Sequence, residues 1–97
     1  MNANLDQMTP VEILLEDYMK PMGLTQNAFA RALGVPPRRV NEIVHGKRAI
    51  TLDTSLRLGR YFGMSEGFFL GLQRDFDIMK QKRRIGDELA GIRPRAA

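Results

Sequence analysis

The sequence predicts an all-α protein of five helices in one domain, with the last helix the longest. Three observations lead there. Apolar residues recur at spacings of three and four along most of the chain, the period of a helix rather than of a strand. Glycines at positions 23, 34, 46 and 63 close off short segments, each preceded by a cap residue or a proline, which is how short helices begin and end. The 97 residues, 43% of them hydrophobic, supply one core, since a second would be too small to stand alone.

The first helix opens at Thr9-Pro10-Val11-Glu12: Thr9 caps it, Pro10 takes the first helical position, and Glu12 completes a capping box. Val11, Leu14, Leu15 and Tyr18 follow at helical spacing, and Gly23 ends the helix. The second helix starts after the cap Thr25, runs to Leu33 and stops at Gly34, and the third runs from Pro37 to about His45 and stops at Gly46. The fourth follows the cap Thr51 and ends at Gly63, with Leu52, Leu56 and Phe62 expected inward. The fifth is expected to start at the cap Ser65 and to continue to Arg83 or Arg84, with Phe69, Leu72 and Phe76 as its core stripe. These limits give an N-terminal segment 1–8, a domain 9–84 and a C-terminal tail 85–97. Both ends are expected to be flexible, the tail because Gly86, Gly91 and Pro94 interrupt it.

Charge is unevenly placed. Residues 1–24 carry four acids and one base, whereas residues 25–50 carry Arg31, Arg38, Arg39, Lys47 and Arg48 against Glu42 alone. A basic middle behind an acidic start points to an anionic partner for one face, nucleic acid being the commonest. The chain has no cysteine, which excludes thiolate chemistry and disulfides. It shows neither a basic segment followed by an apolar run at its start nor a membrane-length apolar stretch, so a cytoplasmic protein is expected. A single histidine, His45, with no cysteine to join it, argues against zinc. No metal and no cofactor are expected. Asp75 and Asp77 are two apart on a helix and point in different directions, and no nucleophile, base and orienting group recur together, so an enzyme is not expected.

The segment from Gln26 to His45 has the requirements of a helix-turn-helix motif. Two short helices crossing steeply need a small residue where they nearly touch, a turn residue that accepts left-handed φ, and an apolar inner face on the second helix. Ala30, Gly34, and Val40 with Ile43 meet these in order. At 100° per residue, turning Val40, Ile43 and Val44 inward places Arg38, Glu42 and His45 outward with Arg39 and Asn41 on the shoulders. In a major groove Arg38 and Arg39 can address guanine, Asn41 adenine, and Glu42 a cytosine amino group. The arginines also sit in the first turn, where the helix dipole disfavours cations, and a phosphate backbone would offset that cost. Thr25 and Gln26 at the start of the second helix, and His45, Lys47 and Arg48 after the third, are placed to bind phosphates.

The residues Thr25-Gln26, Phe29-Ala30, Leu33 through Arg39, Ile43 through Arg48 and Arg60-Tyr61-Phe62-Gly63 resemble the Cro/repressor-type helix-turn-helix, and within it the HigA family of antitoxins from bacterial type II toxin–antitoxin modules. Thr9-Pro10-Val11-Glu12 with Leu15, and Phe68-Phe69-Leu70 with Leu72-Gln73 and Phe76-Asp77, extend the similarity over roughly Thr9 to Lys82. The resemblance implies a homodimer on a palindromic operator in its own promoter, repression of that operon, and neutralisation of a cognate toxin that is a ribosome-dependent mRNA endonuclease. Gly59 and Gly71 depart from the alanine and the polar residue expected there. An interior helical glycine costs about 1 kcal/mol, so either close packing compensates or the region is softer. Leu70 and Ile78 lie off the core stripe of the fifth helix and are the expected dimer contacts, because reading two half-sites about one DNA turn apart takes two copies. Lys80, Lys82, Arg83 and Arg84 fit the negative end of that helix's dipole. A second reading is a stand-alone regulator of phage-repressor type with no toxin partner.

Overall fold

The computed structural model describes residues 9–96; segment 1–8 lies outside them. Helix α1 (Pro10–Ile13) runs directly into a π-helical segment, Leu14–Met19. It is followed by α2 (Gln26–Leu33), α3 (Pro37–Val44), α4 (Leu52–Phe62) and α5 (Phe68–Ala90). Among the described residues there is no strand, as the spacing predicts.

The capping box at Thr9 forms in both directions: Thr9 Oγ1 accepts from the Glu12 N–H at 3.0 Å, and Glu12 Oε1 accepts from the Thr9 N–H at 2.8 Å. The wide turn that follows is not visible in the apolar spacing. Lys20 N–H donates to Leu15 O, five residues back, at 2.9 Å. On a regular helix Leu14 and Met19 would stand 140° apart at 100° per residue. The i→i−5 turn lets both enter the core, at 2% and 3% exposure.

Helices α2 and α3 pack through Ala30, Val40 and Ile43, all buried. Gly34 makes the turn between them at φ +72°, a conformation costly for any residue with a Cβ. Behind them Phe29, Leu58, Phe69 and Ile50 fill the centre. Phe62 stacks at 4.8–5.9 Å centroid distances on Tyr18, Phe29 and Phe69.

Helix α4 corrects an expectation. Leu52 and Leu56 face solvent, Leu52 at 58% exposure, and the buried face is Thr54, Ser55, Leu58 and Gly59. Shape overrides hydrophobicity here. A Cβ on Gly59 would lie 2.9 Å from Ser65 O and 3.1 Å from Glu66 Cα, so α4 presents its smallest residues where the chain turns back against it. Close packing, rather than softness, accounts for this glycine.

Helix α5 departs from expectation at both ends. Ser65 does not cap it. The helix starts at Phe68, and its first-turn donor Leu70 N–H is taken at 3.0 Å by Ser55 Oγ from α4, whose own hydroxyl donates to Glu66 O at 2.6 Å. A buried hydroxyl on a neighbouring helix thus does the work of a local cap. At the other end helical backbone continues past Arg84 to Ala90, but a kink at Ile85, with φ −118° and ψ +20°, divides it into two helical pieces. The regular helix thus ends at Arg84, just before the breaker Gly86, as the sequence predicts, while the expected tail from residue 85 resumes as helix over residues 86–90. The second half of α5 stands clear of the body. The radius of gyration is 16.2 Å, against about 12 Å for a compact chain of this length.

Candidate nucleic-acid interface

Helix α3 turns Val40 and Ile43 into the core and by that alone fixes which side chains face outward. Arg38 is open, with 84% of its side chain exposed. Asn41 and His45 are exposed, Arg39 is half-buried, and Glu42 is half-buried beneath the arginines. The α3–α4 loop brings Lys47 and Arg48, both exposed, to one end of this face. The N-terminus of α2 brings Thr25 and Gln26 to the other, Thr25 capping α2 by accepting from the Ala28 N–H at 3.2 Å.

These side chains are tied to one another rather than loose. Arg38 Nε donates to Glu42 Oε2 at 3.0 Å, and Arg48 donates to Glu42 Oε1 at 2.9 Å. The hydrogen bonds from Arg38 and then Arg48 hold the Glu42 carboxyl below its ordinary value. Asn41 Nδ2 donates to Gln26 Oε1 at 3.0 Å, joining α3 to the start of α2. His45 Nδ1–H donates to the Asn41 carbonyl at 2.7 Å, which leaves Nε2 as the free ring nitrogen.

Two residues that sequence reasoning passed over complete the set. Arg39 Nη1 donates to Asp53 Oδ2 on α4, and Arg57 Nε donates to the same oxygen at 2.9 Å. Hydrogen bonds from Arg57 first and Arg39 second hold the Asp53 carboxyl below its ordinary value. Arg57 Nη1 then donates to Leu33 O and Gly34 O at 2.8 and 3.3 Å, satisfying carbonyls at the end of α2. The Asp53–Arg57 spacing of four was a visible helical pair. Its reach to α2 and α3 was not, because that depends on how the helices cross.

The arrangement is an outward cationic face with amide groups at its shoulder, flanked on both sides by further hydrogen-bond donors. Among the described residues no group of three or more His, Cys, Asp or Glu is placed to hold a metal ion. No helix among them is long and apolar enough to cross a membrane.

The profile of a helix-turn-helix family matches residues 15–69, more than half of the chain. The solved structure of the Pseudomonas aeruginosa antitoxin HigA with the higBA promoter superposes with a TM-score of 0.85 at 33% identity, covering 92% of this chain and 98% of that one. An addiction module antidote protein of the HigA family from Coxiella burnetii superposes with a TM-score of 0.83 at 35% identity, covering 91% and 97%. This chain belongs to the HigA family of helix-turn-helix proteins. Its fold is the five-helix Cro/repressor-like arrangement with an extended C-terminal helix. A further relative is virulence-associated protein I of Dichelobacter nodosus, 54% identical over 69 residues; the match covers 71% of this HigA-family chain and 64% of that protein's length.

Proposed function

We propose that this chain is an antitoxin that binds operator DNA as a homodimer, represses the operon encoding it and its toxin, and neutralises that toxin, a small mRNA endonuclease. One observation carries the DNA-binding part: the outward face of α3 holds Arg38, Arg39 and Asn41 between Thr25 and Gln26 on one side and Lys47 and Arg48 on the other. Arg38, Arg39, Asn41 and Glu42 read bases, Glu42 through the lone pairs its two arginines leave free. Thr25, Gln26, His45, Lys47 and Arg48 bind phosphates and set the docking angle. Residues 9–84 form the DNA-binding domain, with the motif at 26–45.

One copy presents one α3. Reading two half-sites about 34 Å apart therefore takes two copies, and Leu70 with Ile78 on α5 supplies contacts between them. Ile78 is half exposed, beside Met79 and the stems of Lys82 and Arg83. The promoter in the Pseudomonas HigA structure supports the operator reading, and the family's antitoxins support the toxin partner.

The experiment is co-expression of the tagged chain with the reading frame adjacent to its gene, followed by purification and a growth assay. The expected result is a stable complex and rescue of growth from a frame that is toxic alone. A harmless neighbour that forms no complex would overturn the antitoxin role and leave a stand-alone regulator.

A further inference from the structure

We propose that Asp53 is a positioning residue for DNA recognition: its carboxylate fixes the guanidinium of Arg39 on the flank of α3, so that the remaining donors of Arg39 meet the DNA in one orientation. The proposal rests on the reading of α3 as the DNA-facing helix. Four hydrogen bonds around this carboxylate argue for it. Asp53 Oδ2 accepts from both Arg39 and Arg57, and Arg57 is itself anchored on the carbonyls of Leu33 and Gly34. A single carboxylate oxygen on α4 thereby links the recognition helix to the end of α2 through a guanidinium that is held at its far side. Without Asp53 the two arginines would face each other as like charges.

The chemistry of arginine makes this useful. Its planar fork carries five N–H donors; committing one to Asp53 leaves a full edge for a pair of base acceptors or a phosphate. A long side chain held in its bound orientation loses less freedom when DNA arrives. Asp53 also places a negative charge, with 55% of its side chain exposed, beside a surface that faces a polyanion. That charge weakens attraction to any DNA, a cost that its hold on Arg39 would offset. A role confined to the dipole of α4, where Asp53 is the acid of the first turn, would affect stability and leave sequence preference alone.

The test uses the full chain with two probes of equal length: a duplex selected from a random library by the wild-type protein, and a random-sequence duplex. Asp53→Asn is expected to lose about tenfold on the selected duplex, the size of a base-reading contact, while binding the random duplex as tightly as wild type or more so. Asp53→Glu is expected to restore most of the preference. In combination with Arg39→Ala, the Asp53→Asn change is expected to cost no further preference. The assignment falls if Asp53→Asn tightens both duplexes alike, since the carboxylate then acts only as a repulsive charge. It also falls if preference losses in the double variant add, or if both carboxylate variants lose both duplexes together with thermal stability. A wild-type protein that does not distinguish the duplexes overturns the underlying reading of α3 as well, and is recognised before any variant is made.

Discussion

Glu42 and Asp53 each sit between two guanidinium groups, so each carboxyl is held below its ordinary value, 4.5 for Glu42 and 3.8 for Asp53. The folded chain therefore binds fewer protons than the unfolded chain in mild acid. The stability these groups contribute is present above their ordinary values and is lost as pH falls through the lower folded values. Urea unfolding followed from pH 7 to pH 3 is expected to show a decline that is shallower in a Glu42→Gln variant; identical slopes would contradict it. The outward arginine and the loop lysine are expected to separate by role. Arg38→Ala costs ~1–3 kcal/mol on a selected duplex and relaxes sequence preference, whereas Lys47→Ala weakens all duplexes alike and lowers the salt slope by about one. Titrations at several salt concentrations check both. The wheel of α3 was legible because burying Val40 and Ile43 leaves no choice about where Arg38 and Asn41 point. The ties of Asn41 to Gln26 and of Arg39 to Asp53 were not, because each bridges two helices and depends on their crossing.

Legibility differed from helix to helix according to what stops or starts each one. Thr9, Thr25 and Thr51 cap as their positions predict, since a β-region hydroxyl followed by a helical pattern has few other uses. Ser65 has the same local signature and fails, because the buried Ser55 hydroxyl reaches the first turn of α5 from another helix. Leu52 and Leu56 were misplaced for a related reason: the side of α4 that faces inward is chosen by close approach at Gly59. That approach sets up a paired prediction. Gly59→Ala puts a methyl group 2.9 Å from a backbone oxygen and is expected to destabilise by about 1–3 kcal/mol. Gly71→Ala, where the nearest atom is the flexible end of Arg74 at 3.7 Å, is expected to stabilise by up to about 1 kcal/mol. Thermal unfolding of the two variants should move in opposite directions.

For the whole molecule, the fold class and the helix order followed from apolar period and glycine punctuation, both local properties of the chain. The length of α5 did not. The break falls at Ile85, beside the breaker Gly86, but a glycine costs only about 1 kcal/mol in a helix, and helical backbone resumes beyond the kink as far as Ala90. If Leu70 and Ile78 join two copies, Ile78→Glu should shift sedimentation from dimer to monomer and weaken operator binding while leaving each domain folded. A dimer unaffected by the change would place the contact elsewhere.

The overhang of α5 gives one helix two kinds of persistence. Its first turns are locked by Phe69, which is fully buried, and their amide hydrogens are expected to exchange slowly, through opening of the domain. Beyond Lys80 the side chains are almost all solvated, and a stretch of that length is marginal as a helix by itself. Its amides are expected to exchange by local fraying, orders of magnitude sooner, in a dilute sample. Exchange rates along this one helix thus form a built-in reporter: whatever partner covers the overhang will slow its amides while leaving those around Phe69 unchanged.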